Sequence, residues 1–154
     1  RFVEGRCVAL VDGDCARTET CTRWGHCHAF AGACTVQSDA DCQTSIGCVH
    51  EGRCIAKGGV CGATAATCEA SLACRDLARC TLRDGRCLLT SDGDCARSLG
   101  CPQDGLCHWR DHQCVARDDA DCRATEACVI ERRCAARDGA CVAAPSPAPA
   151  AAAP

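Results

Sequence analysis

The chain has no Met, no Tyr and no Asn, a single Lys at Lys57, and only two Phe and two Trp among 154 residues. Without Asn there is no acceptor for an N-linked glycan. Leu, Ile, Val and Phe total 22 residues, roughly one in seven. An ordinary domain draws about a fifth or more of its residues from these four types, so a conventional apolar core is excluded. No apolar run approaches the length of a membrane span. Net charge is −3, with Arg scattered among acids rather than clustered. That excludes the basic face a nucleic-acid binder needs. The missing Met marks a processed product or an excised piece from which any signal peptide is gone.

What the chain does have is cysteine, 21 in all. A chain this poor in apolar side chains cannot offset its ordering entropy by burial alone, so covalent links or metal must hold it. The spacing is periodic. Steps between successive Cys cycle as 8, 6, 6, 7 from Cys7 to Cys141, giving a period of 27 residues. One step departs, Cys61 to Cys68, which is 7 rather than 8. The segment that tolerates deletion is a connector, so the invariant 6, 6, 7 steps define the units. These are residues 15–34, 42–61, 68–87, 95–114 and 122–141, called repeats 1 to 5. Residues 1–14 hold the end of a preceding unit and its connector, with Cys7 as that unit's last Cys and unpaired within the chain. Residues 142–154 form an Ala/Pro-rich tail.

Other columns recur. Asp12-Gly13-Asp14, Asp39-Ala40-Asp41, Asp92-Gly93-Asp94 and Asp119-Ala120-Asp121 precede the first Cys of four units, and repeat 3 has Ala65-Ala66-Thr67 instead. Ser38, Thr64, Ser91 and Asp118 stand four before that Cys. These are helix N-cap types followed by first-turn acids. The pattern predicts one short helix over stretches such as Ser38–Cys48 and Ser91–Cys101. The second half of each unit predicts a β-hairpin, because Asp84-Gly85, Asp138-Gly139 and Gly58-Gly59 favour tight two-residue turns. Asp111-His112 is a weaker match.

A four-Cys unit allows three pairings. If the first two Cys share a helix they rise about 9 Å apart, too far for a bond. The expected pairing therefore clamps the helix to both strands: Cys15–Cys27 and Cys21–Cys34, Cys42–Cys54 and Cys48–Cys61, Cys68–Cys80 and Cys74–Cys87, Cys95–Cys107 and Cys101–Cys114, Cys122–Cys134 and Cys128–Cys141. The nested alternative, Cys15–Cys34 with Cys21–Cys27, stays open.

Rival chemistries fare worse. Metal binding by thiolates is the first rival, yet no Cys-x-Cys or Cys-x-x-Cys occurs to seat two ligands on one turn. Haem attachment lacks its Cys-x-x-Cys-His motif. The five His, at 26, 28, 50, 108 and 112, are read as sharing no repeat column and as surface residues. The paired Asp resemble part of a calcium loop, but repeat 3 dispenses with both, which favours helix capping. No nucleophile–base constellation stands out, so no catalytic, cofactor or metal residues are assigned. Trp24 and Trp109 are contact candidates in different columns. The tail reads as an extended polyproline-like spacer, with Ser146 as a candidate O-glycan site.

The stretches Ser91-Asp92-Gly93-Asp94-Cys95-Ala96-Arg97-Ser98-Leu99-Gly100-Cys101 and Ser38-Asp39-Ala40-Asp41-Cys42 resemble the Cys-rich tandem repeats of myxobacterial secreted and surface proteins, some attached to serine/threonine kinases. The resemblance covers residues 1 to 141. It implies extracytoplasmic disulfide modules and carries no catalytic residues. The Ala-Pro tail is similar to spacers of green-algal wall and flagellar-fibre proteins. The expected architecture is a small disulfide-rich tandem repeat stacked as a solenoid-like rod, with units touching only their neighbours. The expected role is extracellular: a spacer, filament subunit or protein-binding ectodomain whose partners are other proteins or further copies. A thiolate metal-storage protein and an inhibitor- or toxin-like ligand are the alternatives.

Overall fold

A computed structural model describes residues 2–3 and 6–144, with side chains from Val8 onward. The candidate glycan at Ser146, the tail beyond residue 144 and the side chain of Cys7 lie outside the described residues. The chain divides into two compact units, Arg1–Thr90 and Ser91–Pro154.

The first unit opens on a hairpin of β1 (Phe2–Val3) and β2 (Arg6–Cys7). Repeat 1 follows, with α1 (Asp12–Cys15), α2 (Glu19–Trp24), β3 (His28–Phe30) and β4 (Ala33–Thr35). Repeat 2 has α3 (Asp39–Gln43), α4 (Ile46–Glu51), β5 (Ile55–Lys57) and β6 (Val60–Gly62). Repeat 3 has α5 (Ala65–Glu69), α6 (Leu72–Leu77), β7 (Thr81–Arg83) and β8 (Arg86–Leu88). In the second unit, repeat 4 comprises α7 (Asp92–Arg97), α8 (Gly100–Asp104), β9 (His108–Arg110) and β10 (Gln113–Val115). Repeat 5 comprises α9 (Asp119–Arg123), α10 (Glu126–Glu131), β11 (Ala135–Arg137) and β12 (Ala140–Val142). Every hairpin is a separate antiparallel two-stranded sheet.

Each repeat is thus helix plus hairpin, but the helical part is two helices rather than the expected one. The cause is the hydroxyl residue three after the first Cys. Ser45 Oγ donates to the Cys42 carbonyl at 2.7 Å and accepts from Cys48 N–H at 3.2 Å. Thr18, Ser71 and Thr125 make the same pair of bonds. One side chain closes the first helix and caps the second, so the backbone turns where a continuous helix would run. Ser45, Ser71 and Thr125 are almost fully buried in doing so.

The hairpin turns are as expected. Asp84-Gly85 and Asp138-Gly139 both hold positive φ at the two central residues. Asp111-His112 adopts the same conformation without a glycine, at φ 50° and 66°. The twist of the strands demands that turn, and the local cost to His112 does not override it.

The pairing of cysteines corrects the expectation. The links are nested: Cys15–Cys34 encloses Cys21–Cys27, Cys42–Cys61 encloses Cys48–Cys54, and Cys68–Cys87 encloses Cys74–Cys80. Likewise Cys95–Cys114 encloses Cys101–Cys107, and Cys122–Cys141 encloses Cys128–Cys134. None of the bonds Cys15–Cys27, Cys21–Cys34, Cys42–Cys54, Cys48–Cys61, Cys68–Cys80, Cys74–Cys87, Cys95–Cys107, Cys101–Cys114, Cys122–Cys134 and Cys128–Cys141 forms. The break in the helix explains why. The second helix ends on a left-handed residue, Gly25 in repeat 1, and the chain doubles back so that Cys27 lies 4.5 Å from Cys21 between Cα atoms. The first helix is then free to lie on the hairpin, where Cys15 meets Cys34 in β4.

The disulfides are also the core. The first Cys of every repeat is fully buried. In repeat 2, Val36, Cys42 and Cys61 cluster with Ala56 beside them; in repeat 5, Ala116, Cys122 and Cys141 cluster with Ala136. Val36 and Ala116 come from the connector before the repeat, so these two cores are completed from the preceding connector.

Candidate functional site: the junctions between repeats

The residues that bear chemistry gather where one repeat meets the next. Each Asp-x-Asp divides its labour. The first Asp staples helix to hairpin: Asp39 Oδ1 accepts from Ala56 N–H at 2.7 Å, Asp92 Oδ1 from Trp109 N–H at 2.7 Å, and Asp119 Oδ1 from Ala136 N–H at 2.9 Å. Asp12 does the same for Ala29 at 2.8 Å. The second Asp caps the helix start. Asp41 Oδ2 accepts from Gln37 and Ser38 N–H, and Asp121 Oδ2 from Arg117 and Asp118 N–H. In repeat 3, Thr67 Oγ1 takes over by accepting from Thr64 N–H at 2.8 Å. Capping therefore occupies the carboxylates that a calcium loop would leave free.

Two of these Asp pairs are joined by histidine. His28 Nδ1 lies 3.0 Å from Asp12 Oδ2, and its Nε2 lies 3.0 Å from Asp41 Oδ1. His108 repeats the arrangement, with Nδ1 3.0 Å from Asp92 Oδ2 and Nε2 3.2 Å from Asp121 Oδ1. The expectation that no two His share a column is thereby corrected. His28 and His108 both follow the third Cys directly, and the other repeats carry Ile55, Thr81 and Ala135 there. Each imidazole ties its own repeat to the next, repeat 1 to 2 and repeat 4 to 5.

Charge and hydrogen bonding set the protonation of these bridges. His28 is pushed above its ordinary range, foremost by the hydrogen bond with Asp12; burial opposes the shift and Asp41 reinforces it. His108 is raised foremost by Asp92, again against burial, with Asp121 assisting and the Arg117 cation opposing. Asp12 is held below the usual carboxylate range by the Ala29 N–H and then by His28, and Asp92 by His108 and then by the Trp109 N–H. For Asp41 and Asp121 burial is the largest single influence and raises them. The backbone donors and the imidazole together outweigh it, so both end lowered.

The rest of the junction is backbone and close packing. Val36 N–H donates to the Gly59 carbonyl at 3.3 Å, and Ala116 N–H to the Gly139 carbonyl at 2.8 Å. The glycine ending the second helix admits the following repeat. A Cβ on Gly25 would stand 2.8 Å from both the Asp41 carbonyl oxygen and Cys61 Sγ. On Gly52 it would meet the Thr67 carbonyl oxygen at 2.6 Å, and on Gly105 it would meet Cys141 Sγ at 2.7 Å. Only glycine combines that approach with a positive φ. The residue just before Gly25 and the one just before Gly105 each face an Arg of the next repeat. Trp24 lies under the Arg53 guanidinium at 4.2 Å, and Asp104 pairs with Arg133 at 2.9 Å.

Of the two Trp, then, Trp24 belongs to a junction. Trp109 is 39% exposed and sets its ring edgewise to His112 across its own hairpin. His26, His50 and His112 do not enter the His–Asp bridges. The junction partners were missed in the sequence because they lie 13 to 29 residues apart, although the shared column of His28 and His108 was available as a signal.

All twenty cysteines from Cys15 to Cys141 are in disulfides. None of them carries the thiolate that metal storage would require. Among the described residues, no helix is long and apolar enough to cross a membrane. Ten disulfides fit an extracellular, oxidising location. Comparison with family models, curated proteins and solved structures returns no match. Fold and site together define the chain as a disulfide-stapled tandem-repeat protein.

Proposed function

We propose that this protein is an extracellular or cell-surface structural module, an array of disulfide-stapled repeats that holds or presents a partner and has no catalytic task. The observation that carries the reading is the nested disulfide pair of every repeat, which replaces the missing apolar core. Such a chain folds only where thiols are oxidised. The junction chemistry supports an array rather than independent beads, because the connectors ahead of repeats 2 and 5 complete the cores of those repeats. The partners are other proteins or further copies of the chain, and the Ala/Pro tail acts as a spacer with Ser146 as an O-glycan site. The likeness of the acidic helix starts to myxobacterial secreted and surface repeats points the same way.

The test is thiol alkylation of protein taken from its source without reductant, with the fraction recorded. The twenty cysteines from Cys15 to Cys141 should resist alkylation, and the protein should be found outside the cytoplasm or on the cell surface. Free thiols throughout the repeats would overturn the proposal.

A further inference from the structure

The two His–Asp bridges have a chemical requirement of their own. A neutral imidazole carries one N–H and one bare nitrogen lone pair. Here both ring nitrogens of His28 face carboxylate oxygens at 3.0 Å, from different repeats. Neutral His28 satisfies one of them and turns a lone pair toward the other. Only the imidazolium donates to both. His108 stands between Asp92 and Asp121 in the same way. We infer that His28 and His108 are proton-binding sites that tighten the repeat 1–2 and 4–5 junctions in mild acid and loosen them as the imidazoles deprotonate.

The groups facing each imidazole are few. His28 meets Asp12 from α1 and Asp41 from α3. His108 meets Asp92 from α7 and Asp121 from α9, with Arg117 ahead of α9 as the one opposing cation. Asp39 and Asp119 are engaged instead by the Ala56 and Ala136 N–H groups of the following hairpins. Both imidazoles are raised in the folded chain. Their contribution is fully present below the ordinary histidine value of about 6.5 and is lost as pH rises through the higher folded value. The four carboxylates are lowered. Their contribution is present above about 4 and is lost as pH falls through the lower folded values. The bridges therefore hold best between about pH 4 and 6.5. The repeat 2–3 junction has Ile55 in the histidine column and Thr67 in place of the second Asp, so it lacks both halves of the device.

The sequence supplies its own replacements. His28→Ile copies repeat 2 and His108→Ala copies repeat 5, both of which fold with those residues in place. The denaturant midpoint of the full chain, disulfides intact, is measured between pH 6 and 9 for the parent and the double variant. The parent midpoint should fall across that range and the variant's should stay flat. NMR titration of the parent should place His28 and His108 at higher pH than the same imidazoles in the reduced, alkylated chain. A flat parent, a decline retained in the double variant, or imidazoles that titrate no higher than in the unfolded chain would each overturn the inference.

Discussion

Ser45 shows how much rests on single hydroxyls in this protein. Its oxygen both accepts from Cys48 N–H and donates to the Cys42 carbonyl, at 2% exposure. Replacing a cap of this kind by Ala costs about 1 kcal/mol, and at Ser71 the buried Cys74 N–H loses its side-chain acceptor as well. Ser45→Ala and Ser71→Ala should each lower the stability of the disulfide-intact chain by about 1–2 kcal/mol in denaturant titration. Ser38, Thr64, Ser91 and Asp118 were legible in the sequence as caps because their types, and in all but Thr64 their acidic followers, are local signals. Thr18, Ser45, Ser71, Ser98 and Thr125 were visible as a column, but their role was not. A hydroxyl inside a helix-favouring stretch reads the same whether it faces solvent or bonds the backbone and breaks the helix.

At the scale of the element, that break decides the disulfides. With one helix assumed, Cys15 and Cys21 point apart and a crossed clamp follows; with two, the second helix and its left-handed Gly25 bring Cys21 to Cys27. The hairpins were readable because Asp-Gly turns act locally, whereas pairing depends on where the chain turns in space. The two classes of bond differ in loop length, spanning 19 and 6 residues. The chain-entropy model assigns about 3 kcal/mol to the longer loop and about 2 to the shorter. Replacing Cys42 and Cys61 together by Ala should therefore destabilise more than replacing Cys48 and Cys54, the more so because Cys42 is fully buried. Glycine makes a second contrast. Gly105→Ala places a methyl against Cys141 Sγ, and left-handed Ala adds about 1–2 kcal/mol. Gly13 has nothing within 4 Å of its would-be Cβ. Amide exchange at Ala116, whose N–H bonds across the junction, should quicken in Gly105→Ala and stay unchanged in Gly13→Ala.

For the whole molecule, the composition sets the rule that covalent bonds hold what apolar burial cannot. Reduction followed by alkylation should abolish the helical far-UV signal, and a metal chelator alone should leave it intact. The repeat itself was legible from Cys spacing, because a fixed period needs no knowledge of contacts. The junctions were not, since Asp12, His28 and Asp41 meet only when successive repeats stack. The nested pairing is the central claim, and repeat 4 exposes it to a direct measurement. Trypsin cuts after Arg97 and Arg110, releasing residues 98–110 with Cys101 and Cys107 on one peptide. Mass spectrometry of the non-reduced digest should find that peptide free, two hydrogens lighter than its reduced form, and should find Cys95 and Cys114 joined on its two neighbours. Recovery of residues 98–110 linked to those neighbours would contradict the account.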